Sequence, residues 1–545
     1  MNIDQPSPSR IPRSPVRALA QQAATLDVAD QPEAAGPSRP PQHWRAARSA
    51  SLRALIAADA GDPPLVKAIR NRDSDAISAL LANAAVDPNE AGLQAITPLM
   101  QATLSNDHQT ITALLARPDV EPDKFNESGL TALHLAAKSA TTNTFCLLAR
   151  NRRVDVNLGQ NRDGRTTALI MAALSGDVDK VRVLVERSDT RLREVGADGL
   201  TALHAAVLAG YVDVVRALLP AHSGTGVNTV APAAHNGVTA LHLAILCNRE
   251  DIVDTLLQFP STTALIPTTD GRTALHIAAR AGKTGIVIAL LRHTPDLLDR
   301  RTSQGQTALM QAAEEGHLEV MQALLDQPHI DVNAIAPQQP SALMLAASQG
   351  NISAMQLLFA SARIDVNLAG EGGVNALAVT ISRRKLLALV ELLMHPDINV
   401  NAPVNPAGHT VLHKALRANQ PAFVQVLMGA PGINVNARSI NGMTPLHVAA
   451  AFCARAVPIL INKGGVDINC QSSSGSTALH YAAATGNREA VERLLRAQGI
   501  NTVLRRFDGA LPGDVAGTAG HADLAQYLRE RESIAPELEN QPFNR

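Results

Sequence analysis

The sequence predicts an all-α solenoid of about fourteen helix-turn-helix repeats joined by short hairpin loops, with no separate catalytic domain. Three observations carry this. The tetrapeptide Thr-Ala-Leu-His begins at Thr131, Thr201, Thr239, Thr273 and Thr477, with relatives beginning at Thr97, Thr167, Thr307, Ser341, Asn375, Thr410 and Thr444. Successive starts lie 33 to 38 residues apart over nearly 400 residues. A hydrophobic residue also stands fifteen positions after each tetrapeptide leucine, from Leu99 with Leu114 to Leu446 with Ile461 and Leu479 with Leu494.

Each part of the repeat has a mechanical reason. Thr or Ser sits at the start of a first helix, where its hydroxyl bonds an otherwise unpaired backbone N–H. Pro98 and Pro445 follow at the first helical position, where a missing N–H costs nothing. Leu133, Ala136 and Ala137 share one face and form a shallow apolar stripe suited to close stacking. A short break, with Gly210, Gly282 or Gly316, precedes the second helix; Pro421 and Pro458 fall within the first turns of theirs. Segments such as Val154 to Asn157, Ile330 to Asn333 and Val466 to Asn469 are expected to be extended. The following pairs, Asp163-Gly164, Asp198-Gly199, Asn236-Gly237, Asp270-Gly271 and Asn441-Gly442, supply the positive φ of a tight turn. The spacing predicts degenerate end repeats, Leu65 with Leu80 and Gly513 with Leu528, and a loop insertion from Ser223 to Gly226.

Turn, Thr-x-Leu-His helix, second helix and Asp-Val-Asn segment together resemble the ankyrin repeat, across residues 61–530. The resemblance implies a stacked, curved array whose hairpin tips and first-helix surfaces bind a partner protein, with no cofactor. Candidate contacts on the tips are Asn126, Glu127, Arg162, His235, Gln304 and Arg438, all expected to be exposed. The repeat at Asn375 departs from the pattern and carries Arg383, Arg384 and Lys385 in place of a glycine-containing break. Those cations are either a basic contact for an acidic partner loop or a solvated helix end.

Composition narrows the alternatives. Lys plus Arg total 48 and Asp plus Glu 49, a net charge of -1, which argues against nucleic acid or an anionic membrane as partner. No apolar run is long enough to span a bilayer. Cys146, Cys247, Cys453 and Cys470 form no C-x-x-C pair, and the first two are expected to be buried, as in reduced intracellular proteins. The seven tetrapeptide histidines stand one repeat apart, too far to share one metal ion, and read as helix-start scaffold residues. Gly282-Lys283-Thr284 lacks the upstream glycine of a phosphate loop. The reading is therefore non-enzymatic; the rival is an enzyme with a site near Cys453 and Cys470.

Residues 1–60 are rich in Ser, Pro, Arg, Ala and Gln and too polar to order themselves. They are an inert tail, an organelle transit peptide or an uncleaved secretion signal. Their composition resembles the N-termini of type III secreted effectors of plant-pathogenic bacteria. Asp4 and the prolines weaken the transit reading. The expected location is the cytoplasm of the producing cell or, after injection, that of a host cell. Residues 531–545 read as a polar tail.

Overall fold

The computed structural model describes residues 61–160, 166–221, 224–232, 235–337 and 339–539, so the expectations for residues 1–60 lie outside the described residues. Among the described residues the helices form fourteen pairs, one per predicted repeat. The chain divides into two units between Leu297 and Leu298.

In the first unit the pairs are α1 Pro64–Asn71 with α2 Ser74–Ala82, α3 Pro98–Ser105 with α4 His108–Ala116, α5 Ala132–Ser139 with α6 Thr142–Ala149, and α7 Ala168–Ser175 with α8 Val178–Val185. They continue with α9 Ala202–Ala209 and α10 Val212–Leu218, α11 Ala240–Leu246 and α12 Glu250–Leu257, and α13 Ala274–Arg280 and α14 Thr284–His293. The insertion before α11 holds a 3-10 turn at Gly224–Asn228. The second unit holds α15 Ala308–Glu315 with α16 Leu318–Leu325, α17 Ala342–Gln349 with α18 Ile352–Phe359, and α19 Ala376–Arg383 with α20 Leu386–Leu393. It ends with α21 Val411–Arg417 and α22 Pro421–Met428, α23 Pro445–Phe452 and α24 Val457–Asn462, α25 Ala478–Ala484 and α26 Arg488–Leu495, and α27 Pro512–Thr518 and α28 Ala522–Glu539. The last helix therefore runs through the segment expected to be a polar tail as far as Glu539.

Within each unit every first helix packs on the first helix of the next repeat, and the second helices form a parallel layer. The core is the row of tetrapeptide leucines and their second-helix partners, Leu133 with Leu148, Leu343 with Leu358 and Leu412 with Leu427 among them, all essentially inaccessible. One pairing differs from expectation. Leu460, fourteen positions after Leu446, is fully buried, while Ile461 is half-exposed. A 3-10 turn, Ala454–Ala456, precedes the shortened α24 and shifts its register by one residue.

The extended segments expected between repeats are not strands: among the described residues there are only isolated bridges, such as Pro403 with Thr410. Each Asp-Val-Asn segment is a turn, and its asparagine does the linking a strand ladder would have done. Asn401 donates from Nδ2 to the Gly432 carbonyl (2.8 Å) and accepts at Oδ1 from the Asn434 N–H (2.8 Å). Asn89, Asn157, Asn228, Asn333, Asn367, Asn436 and Asn469 repeat the geometry. An amide offers donors and an acceptor on one group, so a single side chain satisfies two backbone groups of the neighbour.

The histidines add a second bridge. In Thr444, the N–H donates to Nδ1 of His447 (2.9 Å), so Nδ1 is unprotonated and Nε2 carries the hydrogen. Nε2 then donates to the Ser476 carbonyl in the next repeat (3.0 Å). His134, His413 and His480 make the same link to Thr166, Met443 and Ala510. The scaffold reading of these histidines holds, and burial pushes His242, His413 and His447 down to about 4. A third bridge caps helix ends: Lys180 donates to the Ala140 carbonyl (2.9 Å), Gln420 to Ile381 (3.1 Å) and Asn487 to Ala450 (3.0 Å). Carbonyls otherwise left open at helix C-termini are thereby paired.

Candidate protein-binding surface

The surfaces on which partner contacts are expected are the row of hairpin tips that precede the first helices and the exposed positions of the first helices themselves. The tips are tied to one another by backbone bonds. Glu127 N–H donates to Gln94 O (3.0 Å) and Thr269 N–H to Asn236 O (3.0 Å) in the first unit. Ile440 N–H donates to Ala407 O (2.9 Å), Ser473 N–H to Asn441 O (3.0 Å) and Phe507 N–H to Ser474 O (3.2 Å) in the second. Gly199, Gly271 and Gly442 take the positive φ expected of their turns, and at Asn236-Gly237 both residues do. Asp163-Gly164 and Arg162 lie outside the described residues.

The expected contacts separate on this scaffold. Glu127 and Gln304 are exposed tip residues. His235 is half-buried, with Nε2 on the Asp198 carbonyl. Arg438 is exposed and reaches the next repeat, donating to Gln471 O (2.7 Å) and lying 3.2 Å from Cys470 Sγ. Asn126 corrects the expectation of exposure. It is buried and accepts the Leu130 N–H at Oδ1 (2.8 Å), because the side chain folds back to close its own turn. Arg383, Arg384 and Lys385 stand at the opposite end of the helix pair from the tips, between α19 and α20. They are not part of the tip row.

Two tip residues escaped the sequence reading. Ile440 is 73% exposed and Phe507 76% exposed, in the same turn position of the second unit. A sequence signal existed: both precede an Asn-Gly or Asp-Gly pair, where a polar or small residue is expected to face water.

Two cysteines depart from expectation. Cys146 and Cys247 are half-buried, whereas Cys453 and Cys470 are the buried pair. An apolar helical neighbourhood in sequence puts a residue near the core but does not choose its face; Cys453 ends α23 and turns inward. Burial pushes the Cys453 and Cys470 thiols up, the opposite of what an activated nucleophile needs. No group of three or more His, Cys, Asp or Glu able to hold a metal occurs among the described residues.

A family model described as ankyrin repeats (3 copies) matches residues 99–194, 169–266, 260–336, 343–439, 381–471, 412–506 and 451–538. The chain belongs to the ankyrin-repeat family. No curated protein matches it. Ankyrin repeats generally mediate protein–protein interaction, and no described helix of this ankyrin array is long and apolar enough to cross a membrane.

Proposed function

We propose that residues 61–530 are a binding domain that engages a partner protein through hairpin tips and first-helix surfaces and performs no chemistry of its own. The observation that carries this is the exposure of Ile440 and Phe507 on tips two repeats apart, each hydrogen-bonded to the tip between them: Ser473 donates to Asn441 and Phe507 to Ser474. Large apolar side chains held on a rigid backbone serve as binding anchors at low entropic cost. Arg438 is a polar contact on the Ile440 tip; Gln304 is a further tip contact in the second unit, and Glu127 and His235 are tip contacts in the first. The raised thiols of Cys453 and Cys470 weigh against the rival enzyme reading.

The test is affinity capture with the full chain and with Ile440→Glu and Phe507→Glu variants, read by mass spectrometry and by circular dichroism for folding. A partner retained by wild type and lost by folded tip variants supports the tip surface; equal retention by all three sends the surface elsewhere.

A second proposal concerns residues 1–60, supported by their Ser/Pro/Arg-rich composition. They serve as a secretion signal, delivering the array to a host cytoplasm. Fused to a reporter active only in eukaryotic cytoplasm, they are expected to give a signal that depends on a working injection apparatus. Equal signal without the apparatus, or none with it, leaves a cytoplasmic adaptor of the producing cell.

A further inference from the structure

The second unit carries a local imbalance of charge that the near-neutral whole conceals. No acidic residue occurs between Asp397 and Asp467, while Lys414, Arg417, Arg438, Arg455 and Lys463 fall in that span, and Arg383, Arg384 and Lys385 lie just upstream. The fold gathers most of these at one end. The consecutive, mutually packed first helices α19, α21 and α23 finish in Arg383, Arg417 and Phe452. Arg384 follows α19, and Arg455 lies in the turn after α23. Arg383, Arg384, Arg417 and Arg455 are all exposed, and no ion pair joins any of them to a described carboxylate. The Arg417 guanidinium lies over the half-exposed Phe452 ring, 5.6 Å from its centroid, which links the second and third of these repeats. The carboxylates of the following repeat, Glu489 and Glu492, are occupied by Arg493 and Arg488 on their own helix.

The backbone at one of these cations is left-handed. Arg384 adopts φ 56, a left-handed conformation, at the position that Gly176, Gly210, Gly316, Gly350 and Asn106 occupy after their first helices. Arg72 does so in the first repeat as well. Glycine or asparagine suits that backbone better than arginine does.

We propose that the ends of α19, α21 and α23 form a docking surface for an acidic peptide segment of a partner protein. This rests on the reading of the array as a protein-binding surface and adds the chemistry of what it takes. Neighbouring first helices sit about 8–10 Å apart, and an extended peptide advances about 3.3 Å per residue. Carboxylates about three residues apart therefore fall opposite Arg383 or Arg384, Arg417 and Arg455 in turn. Phe452 offers an apolar seat between them. Single-stranded nucleic acid is the less suitable occupant: it stacks on a succession of aromatic platforms, and here Phe452 stands alone among the helix ends named.

The experiment measures fluorescence anisotropy of a labelled peptide of Glu-Gly-Gly repeats on the full chain, beside Gln-Gly-Gly repeats and labelled oligothymidylate. Saturable binding of the Glu peptide is expected, absent for the Gln peptide and weakened by salt. Arg384→Gly is expected to weaken it about two- to fivefold while raising the melting temperature, since the backbone there favours glycine. Arg417→Glu, checked by circular dichroism, is expected to weaken it further. Unchanged binding by both folded variants overturns the proposal, as does tighter binding of oligothymidylate, which gives the surface to nucleic acid. Failure of the peptide to bind while tip variants still lose a captured partner overturns this inference alone and leaves the protein-binding reading standing.

Discussion

His447 in one repeat hydrogen-bonds the carbonyl of Ser476 in the next, 3.0 Å from Nε2, while its Nδ1 receives the N–H of Thr444. The ring thus closes its own helix start and ties two repeats together, and it does both only when neutral. A proton on Nδ1 faces an N–H that also points at it. With burial as the main cause, the ring is pushed from the ordinary 6.5 down to about 4. Between those values the unfolded chain takes up protons that the folded chain refuses, so stability is full above about pH 6.5 and falls as the pH drops toward 4. His413 behaves alike, and each contributes a slope of about 1.4 kcal/mol per pH unit. NMR titration of the His447 ring is the check: a midpoint near 6.5 in the folded protein contradicts this account.

The asparagine bridges predict a local rather than global defect. Asn401→Ala removes the links to Gly432 and Asn434 and should cost about 1–3 kcal/mol, two hydrogen bonds of ordinary net worth. Because repeats contact mainly their neighbours, the loss is expected to show first as faster hydrogen exchange at the Asn434 amide. Unaltered exchange there means that the bridge contributes nothing to holding the turn.

Leu460 and Ile461 separate the predicted register from the observed one. Leu460→Ala empties a fully buried site and should cost about 2–5 kcal/mol, whereas Ile461→Ala, half-exposed, should cost under about 1 kcal/mol. Urea unfolding of the two variants decides. Equal costs, or the reverse order, restore the fifteen-residue spacing in this repeat.

Thiol labelling tests the burial order. Cys146, half-buried, is expected to react with iodoacetamide well before Cys453, which is fully buried and whose thiol burial pushes up. Mass spectrometry of tryptic peptides over a time course resolves the sites. Labelling of Cys453 first, in folded protein, reopens the enzyme reading.

The repeat was legible because its parts are local. Thr131 and His134 lie on one helical turn, so their mutual capping follows from spacing alone, and Leu133 with Leu148 follows from the length of one helix pair. The departures depend on which way a side chain turns, which spacing does not state. Nothing about Asn126 in sequence tells that its side chain accepts from Leu130 and is buried, since a turn asparagine serves equally well facing water. Exposure of Ile440 and Phe507 was readable only as an anomaly against their polar counterparts.

By itself, then, the sequence determined the family, the helix pairs, their caps and most of the core, because helix periodicity and capping act over a few residues and recur in every copy. Tertiary structure alone decided how one repeat grips the next. Asn401 reaches Gly432, Lys180 reaches Ala140, and Arg417 settles over Phe452 across separations of some thirty to forty residues. Such partners meet only after stacking has brought the repeats side by side. The same stacking gathers scattered cations into one surface, which no local pattern encodes.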